Sequence, residues 1–168
     1  ESILGGLTHL KEYIHLRKKG FEYGSKLPQP KGILLVGIPG AGKSLASKVI
    51  ASIFGVPLLR LDMGMLKGGL VGQSEQNTRN ALAIVDAVSP CVLWMDEIEK
   101  SIGGVKSSNQ TDGGTTSSMF GQLLTWMNDS PAQKYIVATC NDIDEMLTIS
   151  QGALLRAGRI DDIFFVDV

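Results

Sequence analysis

Gly37-Ile38-Pro39-Gly40-Ala41-Gly42-Lys43-Ser44 follows directly on the apolar run Ile33-Leu34-Leu35-Val36 and precedes Leu45, Val49, Ile50 and Ile53 at helical spacing. Strand, glycine-rich loop and helix in this order form a complete G-x-x-x-x-G-K-[ST] phosphate loop. Glycines let successive backbone N–H groups curl round a phosphate, and the following helix turns its positive end toward the same charge. Lys43 then reaches the β- and γ-phosphates, and Ser44 offers a hydroxyl to Mg²⁺, a cation that wants hard oxygen ligands. Pro39, Gly40, Ala41, Gly42, Lys43, Ser44 and Leu45 are accordingly assigned to the nucleotide. A larger side chain at Gly42 is expected to block the approach of the phosphate. A chance match is the competing reading, and the strand before and helix after the loop argue against it.

A second apolar strand, Cys91-Val92-Leu93-Trp94-Met95, ends in Asp96-Glu97. An unbroken apolar run of this kind suits a buried parallel strand. At its carboxyl end Asp96 is placed to hold Mg²⁺, and Glu97 to polarise the water that attacks the γ-phosphate. Acidic residues also favour helix starts, so the pair alone would be weak evidence; beside the phosphate loop it is strong.

The 168 residues, 43% hydrophobic, suit one domain able to bury about 70% of its unfolded surface. The net charge of −1 gives no long-range pull toward nucleic acid, and the densest basic cluster, Arg17-Lys18-Lys19, suits the end of a helix. No run of residues approaches a membrane span and no signal-peptide pattern appears, so a soluble, cytoplasmic setting is expected. Cys91 and Cys140 lie in apolar strand patterns and read as core residues. Trp94 and Trp126 read likewise, and His9 and His15 as surface positions.

Along the chain, Leu7, Leu10, Ile14 and Leu16 mark an amphipathic first helix, and Gly20 to Pro30 a loop. The first strand ends in the phosphate loop. Further strands are expected at Pro57–Leu61, Pro90–Met95, Lys134–Cys140 and Ile163–Val168. Helices are expected at Ser74–Val88, with Ser74 as N-cap, and at Thr116–Met127, with a polar loop over Gly103–Thr116. Alternation of this kind predicts an α/β fold: a P-loop NTPase with a five-stranded parallel sheet sandwiched by helices, its ligands at the carboxyl ends of the strands.

Ile136-Val137-Ala138-Thr139-Cys140-Asn141, followed by Ala153-Leu154-Leu155-Arg156-Ala157-Gly158-Arg159-Ile160-Asp161, resembles the second region of homology of the AAA family of ATPases. With the two nucleotide motifs, the resemblance covers nearly the whole chain. It implies that Asn141 orients the attacking water, and that Arg156 and Arg159 are offered to a neighbouring subunit's nucleotide. An always-charged guanidinium there contributes about 10³ to 10⁵ in rate. Without the resemblance the two arginines would read as a solvated pair. It also implies an ATP-hydrolysing, Mg²⁺-dependent module in a homo-oligomeric, hexamer-type ring that remodels a protein partner. Within the family the chain is similar to the stand-alone AAA proteins of cyanobacteria and algal plastids, through Leu58-Leu59-Arg60-Leu61-Asp62, Gly69 to Glu75, Asp112 to Thr116 and Ile163-Phe164-Phe165-Val166.

Leu70-Val71-Gly72 matches the family's pore loop, with leucine in place of the aromatic residue that contacts a threaded polypeptide. Ile3-Leu4-Gly5-Gly6 stands where relatives begin Asp-Ile/Val-Gly-Gly beside the adenine, with Ile3 in place of the acidic residue; Leu4 and Gly5 are assigned to the base. The resemblance leads one to expect a small helical lid after Val168, so that residues 1–168 form the α/β nucleotide-binding subdomain of a longer protein. A nucleotide-dependent switch or scaffold with slow hydrolysis is the alternative function. A nucleic-acid motor is a third, against which the charge balance argues.

Overall fold

The computed structural model describes residues 8–22, 26–38, 42–66, 73–101, 110–141, 144, 154 and 159–166, with the backbone alone of residues 110–118. Five strands form one all-parallel sheet: β1 (Gly32–Val36), β2 (Leu58–Asp62), β3 (Cys91–Asp96), β4 (Lys134–Cys140) and β5 (Asp162–Phe165), in the order β2-β3-β4-β1-β5. The helices are α1 (Thr8–Phe21), α2 (Lys43–Phe54), α3 (Met63–Leu66), α4 (Gln73–Val88) and α5 (Gln110–Asp129), with a 3₁₀ turn at Ile98–Ser101. The predicted α/β architecture with helices on both faces is therefore the one observed.

Alternation along the strands divides the core into two layers. Leu34 and Val36 of β1, Leu93 and Met95 of β3, and Ile136 and Ala138 of β4 face Leu82 and Val85 of α4 and Met119, Leu123 and Met127 of α5. Ile33 and Leu35, with Val92, Tyr135 and Val137, face the other way onto Leu10 and Ile14 of α1 and Ala46, Ile50 and Phe54 of α2. That second layer is locked by rings: Phe21 stacks on Phe54 at 4.8 Å, and Phe54 meets Tyr135 edge-on at 4.9 Å. All seven residues of β4 are buried, as expected for the strand at the centre of a covered parallel sheet.

Several boundaries differ from the sequence reading. β2 and β3 lie one residue on from the expected places, β4 matches at both ends, and β5 begins one residue early and ends at Phe165, short of the expected Val168. Helix α4 begins at Gln73, so Ser74 is inside its first turn, where its carbonyl accepts from Thr78 Oγ1 at 2.7 Å; it is not the N-cap. Helix α5 begins at Gln110, which puts residues 110–116 on helical backbone instead of in a loop. Leu16 is 75% exposed, because α1 buries the stripe through Leu10, Ile14 and Phe21, and Leu16 lies off it. Cys91 and Cys140 are both buried in the core, Trp94 is buried, and Trp126 is half-buried with its Nε1 donating to Asp86 Oδ1 at 3.0 Å.

β1 approaches β4 so closely at Gly32 that a Cβ there would stand 2.2 Å from Ile136 O. Glycine is required at that position by space. Beside it, Asp161 Oδ2 accepts from Lys31 N at 2.8 Å and Gly32 N at 3.2 Å, while Asp161 N donates to Gly32 O at 2.8 Å, fastening the entry of β5 to β1.

Candidate nucleotide site

The carboxyl ends of β3, β4 and β1 lie side by side, and each delivers a group the sequence singled out. After β1, Gly42 takes φ 97° and ψ 14°, a left-handed conformation that glycine adopts without Cβ strain, and it caps α2 with no side-chain hydrogen bond. The first N–H groups of α2 are thus left for an anion, and Ala46 N closes the first turn on Gly42 O at 2.9 Å. A side chain at Gly42 would be strained by the backbone.

Lys43, the first residue of α2, is buried, and its ammonium donates to Gly37 O, to Asn141 Oδ1 and, at 3.4 Å, to Ile38 O. Burial pushes its pKa down, while the carboxylates of Glu99, Asp96 and Glu97 act in the opposite direction. Ser47 Oγ holds the base of this residue through Lys43 O at 3.0 Å. Ser44 presents its side chain on the exposed side of the same turn, and Leu45 is half-buried beside it.

At the end of β3, Asp96 is gripped from both neighbouring strands. Arg60 Nη2 of β2 donates to Oδ2 at 2.6 Å, and Thr139 Oγ1 of β4 donates to Oδ1 at 2.9 Å. Glu97 leaves the strand with φ 57°, a left-handed conformation that costs a non-glycine residue about 1–2 kcal/mol. Its carboxylate pairs with Lys100 Nζ at 2.8 Å, and its carbonyl accepts from Lys100 N at 2.9 Å. The hydrogen bond to Glu97 also raises the Lys100 pKa. A hydroxyl at Ser44 and a carboxylate at Asp96 are both hard oxygen donors, a set that fits Mg²⁺ bound jointly with phosphate oxygens and water.

Asn141 follows β4 directly. Its backbone N donates to Glu99 Oε2 at 2.6 Å while its side-chain oxygen accepts from Lys43. Lys43, Asn141 and Asp96, predicted from three separate stretches, are therefore brought to the carboxyl end of the sheet. The sequence reading missed three residues there: Arg60, Glu99 and Thr139. A signal existed for Glu99, since Asp96-Glu97-Ile98-Glu99 places three carboxylates in a short span next to the motif. Arg60 and Thr139 had no local signal.

Arg159 is elsewhere. It precedes β5, whose first residue pairs with Ile33, so it stands at the amino end of the sheet, opposite Lys43 and Asp96. There its guanidinium lies against the Asn128 side-chain amide, whose oxygen, once the amide is turned over, accepts from Nε at 3.2 Å and Nη2 at 2.8 Å. Leu4, Gly5, Pro39, Gly40, Ala41, Leu70, Val71 and Arg156 lie outside the described residues.

The profile of the ATPase family associated with various cellular activities (AAA) matches residues 33–168. The chain belongs to the AAA family. The AAA domain-containing protein ycf46 of Pyropia yezoensis is 46% identical over 170 residues, which is 98% of this chain and 33% of that protein. Its counterpart in Guillardia theta is 44% identical over 98% of this chain and 32% of its own length. These matches bear out the narrower resemblance within the AAA family stated from the sequence. The chain spans about a third of the length of these relatives. More distantly, the ATP-dependent zinc metalloprotease FtsH of Mycoplasmoides gallisepticum is 31% identical over 92% of this chain and 20% of that protein. What is shared with FtsH is thus an AAA module within a larger protein.

Proposed function

We propose that this chain is the nucleotide-binding module of a ring-forming ATPase that hydrolyses ATP with Mg²⁺ and uses the cycle to remodel a protein partner in a soluble, cytoplasmic-type compartment. The observation that carries the reading is the meeting of Lys43, Asn141 and Asp96 at the carboxyl end of the sheet beside the α2 N-terminus. Lys43 and the α2 amides bind the β- and γ-phosphates; Ser44 and Asp96 would hold the metal. Mg²⁺ when bound neutralises charge on the phosphate oxygens. Glu97 takes the water's proton or orients it, and Asn141, held by Glu99, fixes the water's position. Leu45, half-buried on the first turn of α2, is assigned to the nucleotide, and Leu4 and Gly5 to the base.

Arg156 and Arg159 are assigned to the nucleotide of the adjoining subunit. The position of Arg159 at the far end of β1 from Lys43 supports this, since in its own chain it stands away from the phosphates. A ring then completes each site with a neighbour's guanidinium, worth about 10³ to 10⁵ in rate. Leu70 and Val71 are the proposed contacts to an extended polypeptide.

The test is ATP turnover of the full-length protein across subunit concentration, with Glu97→Gln as the blank and Arg156→Ala mixed into wild type. Per-subunit turnover should rise with assembly and fall as the arginine variant is added. Turnover that stays flat through assembly sinks the shared-site reading, and tight binding without assembly-linked turnover leaves a nucleotide-dependent switch.

A further inference from the structure

We propose that Thr139 is a positioning residue that fixes the Asp96 carboxylate and so sets how this chain holds the metal of a Mg²⁺–nucleotide. The inference rests on the ATPase reading for the identity of the ligand and adds to it a residue that neither motif contains.

A threonine hydroxyl has one proton to donate and two lone pairs with which to accept. Thr139, fully buried, uses all three. Trp94 Nε1 lies 3.1 Å from Thr139 Oγ1, Glu97 N lies 3.4 Å from it, and Asp96 Oδ1 lies 2.9 Å away. An indole N–H and a backbone N–H can only donate, so both lone pairs of Thr139 face donors and its proton is left for Asp96. The direction of the Thr139–Asp96 bond follows from its neighbours without any hydrogen being observed.

Alternation places these groups together. Val92 of β3 and Val137 of β4 belong to the layer under α1 and α2, and Trp94, Asp96 and Thr139 follow at period two on the same face as the phosphate-loop helix. Trp94 is itself covered by the Arg60 guanidinium at 4.9 Å, and Arg60 takes the remaining oxygen of Asp96. Arg60 is half exposed and its ion pair is screened by water, so it yields readily to a competing cation; Thr139, sealed in the core, does not. Of the two groups that grip Asp96 among the described residues, Thr139 is thus the one that keeps the carboxylate aimed when a metal approaches. Groups that orient a metal-binding carboxylate in this way are worth about 10- to 100-fold in metal affinity.

The experiment is a Mg²⁺ titration of ATP binding by the full-length protein at fixed ATP, reading the half-saturating Mg²⁺ concentration. Thr139→Val keeps the shape and removes the proton; it should raise that concentration about tenfold. Thr139→Ser, which restores the donor, should stay within about twofold of wild type, and Trp94→Phe, which frees one lone pair, should give a smaller rise than Thr139→Val. Thr139→Cys, a weak donor of similar size, serves if the valine variant does not fold, and should fall between serine and valine. Wild-type Mg²⁺ dependence in a folded Thr139→Val or Thr139→Cys overturns the proposal, as does Mg²⁺-independent ATP binding by wild type. Turnover of the wild type is measured alongside. A wild type that binds ATP with Mg²⁺ yet fails to hydrolyse it removes the hydrolysis reading while the comparison between variants still decides the role of Thr139.

Discussion

At the amino end of β1, the Asp161 carboxylate accepts two backbone N–H groups and the chain passes so close to β4 that only Gly32 fits. At the carboxyl end of the same strand, the Lys43 ammonium rests on Gly37 O, Ile38 O and Asn141, within the field of three carboxylates. Both ends hold charged groups against backbone. The first arrangement is complete within the chain: every group faces a partner that stays in place, and its contribution is to stability. The second gathers cationic and acidic groups around a helix start whose N-cap is a glycine with no side chain to cap it, and such a helix end suits a bound anion. The comparison predicts that damage to one end lowers folding free energy and spares nucleotide chemistry, and that damage to the other does the reverse.

The largest effect should come from Lys43→Met, which keeps the buried alkyl chain but removes the charge. ATP turnover should fall about a thousandfold, equivalent to about 4 kcal/mol of transition-state stabilisation, with Tm little changed. A variant that instead unfolds would show that Lys43 is a structural group and erase the contrast. Gly32→Ala comes next. Its Cβ meets Ile136 O and Ile136 Cβ at 2.2 and 2.9 Å, and the strands must part. Denaturant unfolding should register a loss of about 3 kcal/mol, while the ATP affinity of the folded fraction stays near wild type.

Asp161→Ala should cost less, about 2 kcal/mol by the same denaturant measurement, for two unpaired backbone donors at a partly solvated strand entry. Unchanged stability would mean that water replaces the carboxylate there. Smallest of all, the Cys91 and Cys140 thiols should resist a soluble thiol reagent until global unfolding, since both are buried and burial also raises the Cys91 pKa. Fast labelling of Cys140 in the native protein would show that the strand leading to Asn141 opens locally.

How much of this was legible in the chain depended on range. The phosphate loop and the Asp96-Glu97 strand end were readable because their chemistry is written in contiguous residues. β4 was readable for the same reason, since seven residues without a turn signal leave little choice. The start of α5 was not. Gly113 and Gly114 argue for loop by propensity, yet the backbone is helical from Gln110 and continues into the turns where Met119, Phe120, Leu123 and Met127 reach the core. Leu16 misled because apolar character alone does not show which side of a helix is covered. Arg60 and Thr139 were invisible for a deeper reason: their partner lies on a third strand between or beside them, and strand order and register decide that contact. Glu99 could have been found by asking what a third carboxylate was doing beside a nucleotide motif.

The close approach at Gly32 also makes the sheet a ruler. β1 is hydrogen-bonded to β4 on one side and β5 on the other, and sliding it against β4 would bring a residue with a Cβ to the place opposite Ile136 where only Gly32 fits. Lys43 is reached from one end of that strand and Arg159 from the other. Five residues at about 3.3 Å each set the length of β1 between these two ends, and so the span between the proposed phosphate-binding lysine and the arginine proposed for a neighbouring subunit. Inserting one residue in β1 would change that span, and with it, in the proposed ring, the distance from a subunit's own site to the one it completes.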